Sequence, residues 1–96
     1  MYNWRLSTLA KEDLRRIYYY GVQHFGQSQA DSYFYAFFSM FDNIAKNPLL
    51  YQSVDHIRPG YHRCPCGVDS IYYRIDGNTV DIMAILGSQN LQPWLP

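Results

Sequence analysis

Arg58, Arg63 and Arg74 fall close together, interleaved with Tyr61, Tyr72 and Tyr73, in the run from Arg58 to Ile75. A guanidinium is a planar fork of donors that matches a carboxylate or a phosphate two bonds at a time. Arginine and tyrosine are also the side chains that anchor protein interfaces. The run therefore has the chemistry of a recognition surface for an anionic or protein partner. A plainer account is also open. Arg74 stands near Asp76 and Asp81 and could simply pair with one of them. Strand alternation sends Tyr72 and Tyr73 to opposite faces, so one of the two is expected in the core.

The same run holds His62, Cys64 and Cys66 at alternate positions, a set that on one strand face would suit zinc. Pro65-Cys66-Gly67 reads as a bend, which takes Cys66 out of that row, and His56 or Asp69 would have to complete the ligands. No metal or other cofactor is expected, and the cysteines are read as two free thiols. His24 and His56 have no motif around them and are read as surface residues.

The elements that must position these groups follow from periodicity. Tyr2 to Leu6 alternates as a strand does, and Ser7 stands where a helix N-cap is wanted. Ala10, Leu14, Ile17, Gly21 and Phe25 mark one face of a first helix from about Thr8 to Phe25. Gly21 costs that helix about 1 kcal/mol and implies close approach of a neighbour, while Gly26 supplies the stop. Ser28-Gln29-Ala30-Asp31 resembles a capping box opening a second helix, which Pro48 ends. Its buried stripe is Ala30, Tyr33 or Phe34, Phe37, Phe41, Ile44 and Ala45, with Tyr35 and Phe38 turned away. The short loop makes the helices antiparallel neighbours.

Leu50 to Ile57 is a weak strand. Tyr61 to Cys64 and Ser70 to Ile75 are the arms of a hairpin bent at Pro65-Cys66-Gly67. Asp76-Gly77-Asn78 signals a tight turn into a last strand, Val80 to Leu86, with Val80, Ile82, Ala84 and Leu86 on one face. The remainder, Gly87 to Pro96, is an irregular tail carrying Trp94 and Leu95. The expected fold class is α+β: an N-terminal strand, an antiparallel helical hairpin, then a three- to four-stranded antiparallel sheet, all in one domain over 1–96.

Composition narrows the partners. Eight Lys and Arg balance eight Asp and Glu, so the basic excess of a general nucleic-acid binder is absent. No direct sequence-specific nucleic-acid binding is expected. Nothing resembles a secretory signal, and no apolar run approaches the ~20 residues of a membrane span, so a cytoplasmic protein is expected. Ten Tyr, five Phe and two Trp exceed what a core of this size takes in, which leaves aromatic surface for a partner.

With these residues in order, the sequence resembles the ParE toxins of bacterial toxin–antitoxin modules, within the RelE/ParE group. The resemblance rests on Leu6-Ser7, Ala10, Asp13-Leu14, Ile17, Phe25-Gly26, Gln29-Ala30, Tyr33, Phe41, Ala45 and Pro48. It continues through Ile57-Arg58, Gly60-Tyr61, Arg63, Pro65, Gly67, Ile71-Tyr72-Tyr73-Arg74 and Ile85-Leu86. His62 departs from it, standing where the group often has a second basic residue. Asp69 stands where His is usual, and Gly87-Ser88-Gln89-Asn90 lacks the acidic residue that commonly ends the pattern.

The resemblance implies a toxin that binds DNA gyrase, through its A subunit, and blocks replication without being an enzyme. It also implies a cognate ParD-like antitoxin that silences it. Target contacts are expected from Arg58, Tyr61, Arg63, Tyr73, Arg74 and Trp94. Antitoxin contacts are expected from Tyr18, Tyr19, Tyr35 and Phe38, which exceed one helical stripe each. The alternatives are a RelE-like, ribosome-dependent messenger RNA endoribonuclease and an inactive homologue that acts only with its antitoxin. The nuclease needs an acid, a base and cations around a phosphate. Tyr61, His62, Tyr73 and the arginines could supply them, but after Leu86 no Arg, Lys, His or Tyr follows.

Overall fold

A strand, two helices and four further strands make up the fold in a computed structural model, which describes residues 1–87. They are β1 (Asn3–Leu6), α1 (Thr8–Phe25), α2 (Gln27–Lys46), β2 (Gln52–Ser53), β3 (Tyr61–Cys66), β4 (Asp69–Asp76) and β5 (Thr79–Leu86). The Ser7 Oγ accepts the Ala10 N–H at 3.0 Å, which is the cap its position predicts, and donates in turn to the Met83 carbonyl at 2.9 Å. One residue therefore starts α1 and ties it to β5.

The helix connection is a single residue. Gly26 sits at φ 87 and ψ 163, a region open only to glycine, and serves as C-cap of α1 and N-cap of α2 together. The expected capping box at Ser28 is not used, because α2 has already begun at Gln27 and has no side-chain cap. The close approach read from Gly21 is present: a Cβ there would lie 3.2 Å from that of Ala30. Ala30, Phe37, Phe41, Ile44 and Ala45 of α2 are buried as their spacing predicts. Phe25 is not. It is 59% exposed, because the element beside it is the exposed first turn of α2.

The sheet order is β1-β5-β4-β3-β2. β5, β4, β3 and the two-residue β2 are antiparallel neighbours, and β1 joins β5 in parallel, so the expected antiparallel strands gain a fifth at one edge. Of the Leu50–Ile57 candidate only β2 is strand; the following loop closes on itself, Val54 N–H to Tyr61 O and Tyr61 N–H to Arg58 O.

Two details differ from expectation. The hairpin bends at Gly67-Val68, with Cys66 opposite Asp69. Gly67 supplies a φ of 60 that a two-residue hairpin turn needs. Pro65 stays inside β3 because β2 reaches only as far as Arg63, so the outer side of β3 has no partner to miss an N–H there. In β5 the register slips between Tyr72 and Tyr73, which face Ala84 and Ile82, leaving Met83 as an extra residue. Val80, Ile82 and Ile85 consequently face the helices, while Ala84 and Leu86 face away.

The main core lies between helices and sheet: Leu14, Ile17, Phe37, Phe41 and Ile44 against Cys64, Ile71, Tyr73, Val80 and Ile82. A smaller cluster of Val54, Tyr61, Tyr72, Ala84 and Leu86 covers part of the other sheet face, beneath the 54–60 loop. A buried carboxylate fixes the end of β5. Asp13 Oδ2 accepts the Ile85 N–H at 2.9 Å, and Arg16 donates to the Ile85 carbonyl at 3.1 Å. Burial pushes the Asp13 carboxyl above its ordinary value, opposed first by that N–H.

Candidate functional site

The sheet face away from the helices carries the arginines. Strand register sets Arg5, Asp81, Arg74 and Tyr61 side by side on four neighbouring strands. Asp81 is 5% exposed and receives two guanidiniums, the Nε of Arg5 on one oxygen and the Nε of Arg74 on the other, the latter at 3.3 Å. The Arg5 bond is the main cause that holds the Asp81 carboxyl below its ordinary value. Thus Arg74 does take the ion pair that its neighbours suggested, with Asp81.

The next row holds Gln52, Arg63 and Tyr72. Arg63 is half-buried, and no carboxylate lies within ion-pair distance of it among the described residues. It lines a shallow cup of about 320 Å³ with His56, Ser70 and Tyr72. Nothing in the sequence around His56 marked it, because the loop closure that brings it here pairs residues across the 54–61 gap.

The expected target residues are therefore not all together. Arg58 is an exposed residue of the loop that follows β2, and Arg63 and Arg74 share the face. Tyr61 shares it too but is largely buried in the small cluster. Tyr73 does not share it. It is 0% exposed in the main core, where its hydroxyl donates to the Pro48 carbonyl and its ring stacks on His62 at 5.2 Å. Alternation puts Tyr72 on the open face and so sends Tyr73 under the helices. His62 goes with it, away from the arginines, with Nδ1 3.2 Å from the Tyr51 carbonyl oxygen. Trp94 lies outside the described residues.

In-strand Cys66 rejoins the side of β3 that holds His62 and Cys64, yet no three His, Cys, Asp or Glu side chains converge on a metal position among the described residues. Both thiols are free and buried, and burial pushes that of Cys64 up to about 11. Tyr33 reaches the hairpin instead: its hydroxyl lies 2.7 Å from the Cys66 carbonyl and 2.9 Å from Asp69 Oδ2.

A second surface runs along the helices. Ring contacts connect Tyr19 to Tyr18 at 6.3 Å, Tyr18 to Phe34 at 5.6 Å, Phe34 to Phe38 at 5.1 Å and Phe38 to Trp4 at 5.9 Å. Tyr35 joins at Phe34, 5.7 Å away. The four residues singled out in sequence thus belong to one ridge, and Phe34, which links them, and Trp4, at its end, were read only as stripe and strand residues. Tyr19 and Tyr35 are 61% and 67% exposed, whereas Phe38 is half-buried against Trp4 and Phe41. The ridge ends at β1, the outer strand of the sheet. Beside it an apolar groove of about 800 Å³ opens between the helices and the hairpin tip, with Tyr20, Phe25 and Val68 at its wall. No helix among the described residues is long and apolar enough to cross a membrane.

Comparison with known proteins agrees with this architecture. Residues 4–91 match the family described as ParE toxin of type II toxin-antitoxin system, parDE. Toxin ParE1 of Caulobacter vibrioides is 36% identical over 83 residues, covering 86% of this chain and 85% of that protein. Toxin ParE1 of Mycobacterium tuberculosis is 32% identical over 82 residues, covering 84% of each. A solved structure titled "Chromosomal ParDE TA system from P. aeruginosa" superposes with a TM-score of 0.80 at 18% identity, over 91% of this chain and 96% of that one.

Proposed function

Because this chain belongs to the ParE family of type II toxins, we propose that it binds DNA gyrase, through the A subunit, and halts replication until a ParD-like antitoxin covers it. The observation that carries the reading is the family match over residues 4–91, on a chain that keeps its open-face arginines and its aromatic ridge apart. Arg58, Arg63 and Arg74 provide the target face, with Trp94 as a further contact. No covalent step is assigned to the toxin: it acts as a wedge whose arginines meet carboxylates on the target.

The antitoxin lies along the ridge of Tyr18, Tyr19, Tyr35 and Phe38, extended by Phe34. An amphipathic helix with its apolar side on these rings would remove the exposed aromatic area from water, and a strand could continue along the free edge of β1. Both partners meet the toxin in the cytoplasm.

A second reading has one observation in its favour. His56, Arg63, Ser70 and Tyr72 around one cup could receive a phosphate and move a proton, as a ribosome-dependent nuclease must. A short induced expression separates the two readings. Thymidine and amino-acid incorporation are followed side by side. The gyrase reading expects DNA synthesis to stop first and the DNA-damage response to rise. Protein synthesis stopping first, with messages cut at ribosomes, would sink it in favour of the cup. Unchanged growth would leave the inactive homologue.

A further inference from the structure

Arg5 lies far from the other arginines in sequence, on the edge strand β1. In the fold it stands across Asp81 from Arg74. Each guanidinium spends its Nε on a separate oxygen of the same carboxylate, and their side chains remain 61% and 50% exposed. Arg5 also reaches Asp76 at 3.4 Å. The cluster thus places two exposed forks on β1 and β4, one on either side of β5, held by one buried acid. Without that acid, two like charges so close would repel and spread over the surface. A charge that is itself buried and doubly bonded is better placed to hold than to be bound.

We propose that Arg5 is a further target contact and that Asp81 is the positioning residue which presents Arg5 and Arg74 together to an acidic patch on the target protein. This rests on the open face being the target surface. The partner chemistry is a pair of carboxylates rather than a nucleic-acid backbone. The eight positive and eight negative residues cancel, which removes the general attraction that phosphate binding relies on. Arginine is also among the side chains that dominate protein hot spots.

The test is inhibition of gyrase supercoiling by titrated toxin, with wild type, Arg5→Lys, Asp81→Asn and the double variant. Thermal melting and the antitoxin Kd are measured on each. Arg5→Lys keeps the charge on an exposed edge residue but loses the Nε donor that Asp81 holds. Both single variants are expected to need about tenfold more toxin with antitoxin Kd unchanged; Arg5→Lys leaves melting unchanged, whereas Asp81→Asn, which removes the charge of a buried acceptor of two guanidiniums, also lowers it. The double variant is expected to be no worse than Asp81→Asn alone, since the two act as one unit. Wild-type inhibition by Arg5→Lys overturns the proposal. A loss that tracks a fall in melting temperature and a weaker antitoxin Kd overturns it too, leaving a purely structural ion pair. Direct binding of the toxin to DNA, weakening with salt and with Arg5→Lys, overturns the choice of partner. Arg63→Ala and Arg74→Ala serve as controls. If they also inhibit as wild type, the target face itself is misplaced. If they are impaired and the Arg5 and Asp81 variants are not, only this proposal falls.

Discussion

Removing the Tyr73 hydroxyl tests whether that residue is core or contact. Tyr73→Phe keeps the ring, so the packing against the helices and the stack on His62 remain. What is lost is the donor to the Pro48 carbonyl, in a position with 0% exposure where water cannot replace it. An acceptor orphaned in this way costs about 1–3 kcal/mol, and the saving from no longer burying a phenol leaves a net loss of about 1–2 kcal/mol. For a domain this small each kcal/mol lowers the melting temperature by about 4–8 °C, so a fall of about 5–15 °C is expected. Burial also pushes the Tyr73 hydroxyl above its ordinary 10.0. The sign follows from that direction. The neutral hydroxyl contributes its full stability below pH 10 or so, and the contribution is lost as pH rises further. Tyr33 is shifted the same way by burial, with Asp69 adding to it, so the variant should soften the alkaline loss without abolishing it. Urea unfolding at pH 7 and pH 10.5 reads both effects. Unchanged stability with a weakened grip on the target would refute the reasoning and return Tyr73 to the contact surface.

Other substitutions separate the two surfaces from the scaffold. Gly67→Ala puts a methyl 2.6 Å from the Tyr33 ring at a positive φ, and a loss of about 1–3 kcal/mol in unfolding free energy is expected. Asp13→Ala orphans the Ile85 N–H and should cost about 1–3 kcal/mol by denaturant titration, while Asp13→Asn keeps an acceptor without a buried charge and should cost less. Tyr35→Asp is expected to weaken antitoxin binding by about tenfold or more in a calorimetric titration, with melting unchanged; Phe38→Asp should lower both, since that ring also packs on Trp4 and Phe41. Arg63→Ala should reduce toxicity on induction while the antitoxin Kd stays within about twofold, because no carboxylate in the described fold depends on it.

The helices were legible because their signals are local. Ser7 and Gly26 bracket α1, and the α2 stripe from Ala30 to Ala45 repeats at helical spacing. The hairpin was legible as an element but not in its bend, because Pro65 is tolerated in a strand whose outer neighbour stops short, a fact about β2 rather than about Pro65. The slip at Met83 has no Gly or Pro to announce it, and it reverses the faces of Ala84, Ile85 and Leu86. The pairing of β1 with β5 joins the two ends of the described chain, so no window of sequence contains it. The site divides the same way. That Arg63 and Arg74 share one sheet face was legible from their type and spacing, and that Tyr18, Tyr19, Tyr35 and Phe38 lie outside the core stripes from their excess over one stripe. The place of Arg5 across Asp81, of His56 at the cup and of Phe34 in the ridge was not legible, because each follows from a strand, a loop closure or a neighbouring ring far away in sequence. Tyr73 was misplaced because alternation gives two faces without saying which one the helices cover.

The most direct test is a supercoiling assay with purified gyrase, the isolated toxin and relaxed plasmid, run with and without antitoxin. Inhibition with accumulation of cleaved plasmid, relieved by antitoxin and reduced in Arg63→Ala, is the expected result. Full supercoiling at every toxin concentration, from protein that still binds its antitoxin, would contradict the assignment of gyrase as the target.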